Sequence, residues 1–460
     1  MNFTEPHLAV SPCLSLSDRG VVTIYGAGGK TSLMETLTRE GIWRGKRVIQ
    51  TTTTKIFRPT GVPVVIGENW NNVSNRLRDA LKPGASAVLG AALLPKDKLA
   101  GIDPAWPEAL LEKHVADYVI VEADGSARKP IKGYAPYEPV FPTRSDVLVP
   151  VLGVEAIGRP VNDENVHRSE VFCMLTGARP NEPLAVTHFL KSMRHMIEIG
   201  RANAPGVPII PLFNKIDRLS GVGVIHEICR GLAGSDRRLL FTSLRDENPV
   251  RFVYQDDAAC GFNVSVVVLA AGGSVRMGCP KLSLEVKGKP ILAHVFASLG
   301  GTGVKDVVVV FSKENEKLRH LVPPEYRIII NRESREGIST SLKAGLAAVD
   351  PCSQGILFVL GDQPFVETQV CKKLIRYHQE HLPLLTRPVY GGQKGNPVLF
   401  DRRLWPALSA VMGDEGGKQI AAALSAAETG LVDVDDPGVL IDIDTPEEYE
   451  KYRMKGEPRG

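Results

Sequence analysis

The stretch Leu269–Lys281, LAAGGSVRMGCPK, follows directly on the apolar run Val264 to Val268 and decides how the rest of the chain is read. Its order predicts a strand that opens into a glycine-rich loop. A loop with little side chain lets its backbone approach a nucleoside triphosphate, and Arg276 and Lys281 bring positive charge to the same place. Leu269, Ala270, Ala271, Gly272, Gly273 and Ser274 are the candidate nucleotide contacts. These parts form the front half of a nucleotidyl-transfer site.

Further along, GILFVLGD (355 to 362) predicts another apolar strand ending in GDQP, Gly361 to Pro364. Ligands of open parallel sheets sit beyond the carboxyl ends of the strands, so Asp362 is expected in the same crevice as the glycine loop. IDIDTPEEY, Ile441 to Tyr449, ends a third apolar run on acids, and Asp444 is the second candidate metal ligand. Two carboxylates with triphosphate oxygens and water suit Mg²⁺, with Mn²⁺ as a substitute. Arg276, Lys281, Asp362 and Asp444 are therefore the expected catalytic set. An attacking phosphate monoester is already anionic and needs no general base, which agrees with the lack of a nucleophile–histidine–acid arrangement here. Ser339, Thr340 and Ser341, in EGISTS, are candidates for base or ribose contacts, with a helix N-cap as their other role.

The chain of 460 residues is long enough for two or three domains. Short β-branched runs alternate with helix-length segments: VVTIY (21 to 25), YVIVEA (118 to 123), VLVPVL (147 to 152) and VPIIPLF (207 to 213), then a second series from Val264 through DVVVVF (306 to 311) and YRIIIN (326 to 331). This alternation predicts an α/β protein of two domains, 1–250 and 262–460, with parallel sheets covered by helices. The polar, turn-rich segment 245–263 reads as the linker. With 55 Lys+Arg against 52 Asp+Glu and no basic block, small anionic ligands are expected rather than nucleic acid. Seven cysteines without CxxC spacing, no signal sequence and no long apolar run predict a cytoplasmic protein without a membrane anchor.

In the first half, VVTIY runs into GAGGKTS, Gly26 to Ser32, and then a helical segment. Gly26, Gly28 and Gly29 shape a phosphate-cradling loop, Lys30 reaches β and γ oxygens, and Thr31 is a candidate magnesium ligand. The loop resembles a P-loop in its closing Gly29-Lys30-Thr31 and departs from GxxxxGK[ST] at Ile24, where the leading glycine would fall. Glu122 and Asp124 end the YVIVEADGS strand as a Walker-B-like metal or water contact. FNKID (213 to 217) looks like the base-reading motif of GTPases: Asp217 accepts from guanine, while Asn214 and Lys215 fix the loop. FTSL (241 to 244) stands where a second base loop is expected. ATP and GTP both remain open here. Thr51 to Lys55 and His167-Arg168 are further candidates for facing phosphates.

From about 262 to 455 the chain resembles the MocA-like molybdenum cofactor cytidylyltransferases of the MobA-like NTP transferase group. LAAGGSVRMGCPK, NRESREGISTSLKAGL (331 to 346), GDQP, GNPVLF (395 to 400), GDEGGKQI (413 to 420) and IDIDTPEEY carry the resemblance. It implies a Rossmann-like, GT-A-like domain that transfers CMP from CTP to the phosphate of molybdopterin and releases pyrophosphate, with Mg²⁺ on Asp362 and Asp444. Asn396 and Lys418 depart from the His and Arg expected there. From about 20 to 245 the chain is similar to the YqeC group of selenium-dependent molybdenum hydroxylase accessory proteins, through GAGGKTS, RVIQTTTTKI (47 to 56), VEADGSARKPIKGYAPYEPVFP (121 to 142), VLGVEAIGRP (151 to 160), VHRSE (166 to 170) and NKID. That resemblance implies a P-loop-like module serving a molybdenum hydroxylase client. Two other readings stay open: transfer to a sugar or polyol phosphate or from GTP, and a nucleotide-gated carrier that inserts cofactor into a hydroxylase.

Overall fold

The computed structural model of the chain describes residues 9–234, 238–256, 261–273, 277, 280–414 and 416–453. It divides into two compact units, Met1–Cys260 and Gly261–Gly460, each an α/β unit around one main sheet.

The first unit contains β1 (Gly20–Gly26), α1 (Lys30–Trp43), β2 (Val48–Thr52), β3 (Val64–Ile66), β4 (Ser86–Gly90), β5 (Tyr118–Glu122), β6 (Ile131–Lys132), β7 (Val147–Gly153), β8 (Val166–His167) and α2 (Ser169–Thr176). It continues with β9 (Leu212–Asn214), β10 (Arg238–Thr242) and β11 (Val250–Gln255). The nine-stranded sheet runs β11-β10-β9-β7-β1-β5-β2-β4-β3, and β6 pairs with β8 apart from it. All seven residues of β1 and all seven of β7 are buried. That is why these strands read as unbroken apolar runs: a parallel strand covered on both faces has no solvent side to alternate with. Because β1 lies between β5 and β7, its glycine loop opens where the strand order turns, the usual ligand crevice of such sheets.

Two expectations fail in this unit. VPIIPLF forms a strand only at its end, because Pro208 and Pro211 bring no N–H to a ladder; the stretch before touches β7 through a single bridge, Leu148 to Ile209. The segment 245–263 is not a plain linker. Its VRFVYQ forms β11, antiparallel to β10, with Val250, Phe252 and Val253 buried.

The second unit contains β12 (Val264–Ala270), β13 (Val307–Ser312), β14 (Arg327–Asn331), α3 (Ile338–Ala348), β15 (Gly355–Leu360), β16 (Leu385–Tyr390), β17 (Gln393–Lys394), β18 (Val398–Asp401) and β19 (Thr429–Asp433). Its sheet runs β14-β13-β12-β15-β18-β16-β17, with β19 on β16. The strands β12, β13, β14 and β15 are parallel, but GNPVLF supplies β18, antiparallel to both β15 and β16, so the expected all-parallel sheet is mixed on that side. A core of Val266, Val268, Val309, Phe311, Leu357 and Val359 joins the central strands to the helices. Among the described residues no helix is long and apolar enough to cross a membrane.

Candidate functional site

In the second unit, β12 and β15 are neighbours in register, Leu269 opposite Leu360, and Gly361 N–H donates to Leu269 O at 3.0 Å. The glycine loop and GDQP therefore leave the sheet side by side. Asn315 holds the loop: its Nδ2 donates to Ala270 O at 2.8 Å and Gly272 O at 3.2 Å. Ala271 is buried, while Gly272 and Gly273 face solvent. Ser274 and Arg276 lie outside the described residues.

Lys281 is the centre of the site. Its Nζ donates to Asp362 Oδ2 at 2.5 Å and to Asp444 Oδ1 at 2.6 Å. Burial works against the charge on Lys281, but the two carboxylates outweigh it and raise its pKa above the ordinary lysine value. The helix that follows Asp444 is capped by other groups: Glu448 Oε2 accepts from Asp444 N and Thr445 N, and Thr445 Oγ1 accepts from Glu448 N. Asp442, which the sequence did not single out, completes the acidic rim. Its pKa is raised by burial first and by the charges of Asp362 and Asp444, and Gln363 Nε2 donates to it.

Asp362 and Asp444 converge on one cationic point with hard oxygens, which fits Mg²⁺ or Mn²⁺. Among the described residues no group of three or more His, Cys, Asp or Glu side chains forms a cage for a metal, so phosphate oxygens and water would have to fill the remaining positions. Ser339 and Ser341 are packed rather than presented: both are buried, Ser339 N donates to Gly413 O at 3.1 Å, and Asn331 Nδ2 donates to Ser341 Oγ at 2.9 Å. The close approach of the GDEGG loop requires Gly337, with φ of 117° and a Cβ position only 2.6 Å from the Gly413 carbonyl. Asn396 N donates to Val439 O, and Lys418 is exposed.

The glycine loop of the first unit is built with no spare space. At Gly28 (φ 79°) a Cβ would stand 2.3 Å from Gly153 N and 2.8 Å from Pro130 O. Lys30, at the start of α1, does not project outward: Nζ donates to Gly26 O at 2.6 Å and lies 3.2 Å from Asp124 and 3.5 Å from Glu122. Burial opposes its charge and the two carboxylates outweigh that, raising its pKa; burial raises that of Glu122. Thr31 is exposed. Asp124 is committed elsewhere, accepting from Gly26 N at 2.9 and 3.0 Å and from Lys132 Nζ at 3.1 Å. In this arrangement a metal on Asp124 does not fit, whereas Thr31 is open to one.

Asn214 ties the base side to the glycine loop: Nδ2 donates to Gly28 O at 3.0 Å, and Oδ1 accepts from Leu244 N at 3.1 Å. Lys215, left-handed with φ of 65°, pairs with Glu155. Asp217 accepts from Ser243 Oγ at 3.0 Å and keeps half its side chain exposed. NKID and FTSL thus meet as one loop pair. The threonine run does not face outward: Thr51, Thr52 and Thr53 donate their hydroxyls to Leu89 O, Glu122 O and Val140 O. His167 and Arg168 do lie close to the loop, since β8 pairs with β6, which follows Pro130. His167 is pushed below its usual pKa by burial first, then by Arg168 and Lys132. Lys132 and Glu138 were missed in the sequence, and both belong to this cluster.

The model of the family described as YqeC protein matches residues 22–170, and that of the MobA-like NTP transferase domain matches 266–428. The uncharacterized protein YqeC of Escherichia coli K12 is 33% identical over 242 residues, 51% of this chain and 91% of that protein. The purine catabolism protein PucB of Bacillus subtilis 168 is 27% identical over 41% of this chain and 94% of its own length. The nicotine blue oxidoreductase of Paenarthrobacter nicotinovorans is 26% identical over 42% and 96%. The second unit is thus a MobA-like domain with the nucleotidyltransferase fold. Through its first unit the chain belongs to the YqeC family.

Proposed function

We propose that the second unit transfers CMP from CTP to the terminal phosphate of a molybdopterin cofactor, releasing pyrophosphate, and that the first unit binds a nucleoside triphosphate in the service of a molybdenum hydroxylase client. The observation that carries the transferase reading is the single ammonium of Lys281 gripped by Asp362 and Asp444 beside the Gly272 turn.

The chemistry asks little else of the chain. The acceptor phosphate is anionic at neutral pH, so placement and charge relief supply the rate. The open backbone at Gly272 and Gly273 admits the phosphate chain, Lys281 neutralises charge as pyrophosphate leaves, and Asn315 keeps the loop from drifting. Asp362 and Asp444 would hold the divalent ion, which when bound supplies Lewis acidity and a template. The resemblance of the whole half supports the molybdopterin acceptor and CTP.

A pyrophosphate-release assay with molybdopterin, then with sugar phosphates, against each of the four NTPs tests this reading; release with CTP and molybdopterin above the other pairs is expected. The relative named an oxidoreductase favours a second reading. Reduction of a dye by NADH or NADPH, with no pyrophosphate released from any NTP, would establish that one instead. An Asp362→Ala variant that still activates a hydroxylase would favour a carrier.

A further inference from the structure

Beneath the glycine loop of the first unit runs a file of alternating charges. Lys30 lies 3.2 Å from Asp124, Asp124 3.1 Å from Lys132, Lys132 2.7 Å from Glu138, and Glu138 2.8 Å from Arg168. Asp124 and Lys132 have no exposed side-chain surface. Lys132 Nζ also donates to Gly125 O at 2.6 Å, and its neighbour Pro130 sends a carbonyl against Gly28. Asp124 is thus in contact with two ammonium groups, although one would balance it.

A fully buried carboxylate without a counter-cation is strongly unfavourable. Were Lys30 the sole partner of Asp124, any phosphate that recruited Lys30 would strand that carboxylate, and binding would have to offset the loss. We propose that Lys132 is a positioning residue for the phosphate site: by holding the charge of Asp124, it releases Lys30 from that carboxylate, so that of its carboxylate contacts only the longer one, with Glu122, has to be exchanged for the phosphates of a nucleotide. The inference rests on Gly26–Thr31 being a phosphate-binding loop. Glu138 fixes the Lys132 ammonium from the far side, and Arg168, in the left-handed region with φ of 56°, fixes Glu138 through two hydrogen bonds.

The test is equilibrium binding of fluorescent GTP and ATP, and of the matching monophosphates, to the full chain with and without Mg²⁺. Lys132→Met is expected to weaken triphosphate binding by about 10²-fold, and monophosphate binding far less. Lys132→Arg, which keeps the charge, should stay within about tenfold of the wild type. In EDTA, where no metal role of Asp124 enters, Lys132→Met combined with Asp124→Asn removes both charges and should recover most of the affinity. If Lys132→Met alone does not fold, that charge-balanced double variant decides: folded and binding supports the proposal, folded and not binding overturns it. Wild-type binding with Lys132→Met unaltered, or triphosphate and monophosphate weakened equally, overturns the proposal while the phosphate loop stands. A wild type that binds neither triphosphate overturns the phosphate loop itself and this inference with it.

Discussion

Each unit places a lysine between two carboxylates at the end of its central strands, and the two differ in how far they are sealed. In the first, Lys30 is 4% exposed and Asp124 not at all; in the second, Asp362 and Asp444 keep 22% and 37% of their side chains in solvent. The sealed cluster is balanced, with Lys30, Lys132 and Arg168 against Glu122, Asp124 and Glu138. Lys30, Asp124 and Lys132, whose side chains are 3% exposed or less, must be neutralised by one another and their neighbours, so they are part of the fold. In the open cluster Lys281 is buried but its two carboxylates reach solvent that screens them, so either carboxylate contributes less to stability and remains within reach of a ligand.

The largest expected effect tests that contrast in stability. Asp124→Ala leaves Lys132 buried beside an emptied partner and should cost about 3–5 kcal/mol, lowering the melting temperature of the first unit by roughly ten degrees or more. Asp362→Ala should leave calorimetric melting within a few degrees of the wild type. Equal losses from the two would erase the distinction between sealed and open.

Activity should show the reverse. Asp362→Ala and Lys281→Ala are each expected to lower CMP transfer by about 10²- to 10³-fold, measured as pyrophosphate release at saturating CTP. A loss under tenfold in both would mean that these groups do not meet the phosphate chain.

Acid separates the units in a third way. Glu138 is held at about 2 because Arg168 and Lys132 outweigh its burial, and Asp401 at about 2 because Arg403 and His378 outweigh its own. A carboxyl whose folded pKa is depressed adds stability above its unfolded pKa, near 4 for such groups, and that stability drains as pH falls through the folded value. Both units should therefore weaken between about pH 4 and pH 2. Glu138 belongs to the cluster beneath the glycine loop, whereas Asp401 pairs with His378 at the opposite end of its sheet from Asp362, since it faces Gly355 at the start of β15. Glu138→Gln should flatten the acid limb of the first unit alone; melting curves from pH 2 to pH 5 that respond in both units would break the assignment.

The sequence disclosed those parts whose chemistry and backbone agree locally. Buried strands are continuous apolar runs, so β1, β5, β7, β12, β13 and β15 were legible, and with them Asp362 and the two glycine loops at their ends; the half-buried β14 was legible from its run of isoleucines. What escaped depends on contacts between distant segments. Lys132 lies on a two-residue strand with no periodicity to notice, and its importance comes from Asp124 and Glu138 folding around it. Asn315 follows a strand as an ordinary polar residue; only the structure shows its amide spanning to Ala270 and Gly272. The strand β11 was hidden because its VRFVYQ sits among turn formers, and only in the folded unit, where it pairs with β10, are Val250, Phe252 and Val253 buried. Ser341 reads in the sequence as a candidate hydroxyl contact, whereas the fold buries it and has its Oγ accept from Asn331 Nδ2, a partner ten residues away.

The smallest effect concerns the base side of the first unit. Ser243 Oγ donates to Asp217 Oδ1 at 3.0 Å, and Arg218 Nε lies 3.4 Å from Oδ2, so the carboxylate is aimed from both sides while half of it stays in solvent. Guanine presents two adjacent N–H donors to such an acceptor pair; adenine presents a donor beside an acceptor and leaves one carboxylate oxygen unmatched. Removing the aiming hydroxyl in Ser243→Ala forfeits one hydrogen bond, about 0.5–1.5 kcal/mol, so if this carboxylate reads the base, any preference for GTP over ATP should fall by about two- to tenfold. Asp217→Asn replaces one acceptor with a donor and should cost guanine more than adenine. If Ser243→Ala shifts GTP and ATP affinity together, the loop pair is a brace for Asn214 and the glycine loop, and base selection lies elsewhere.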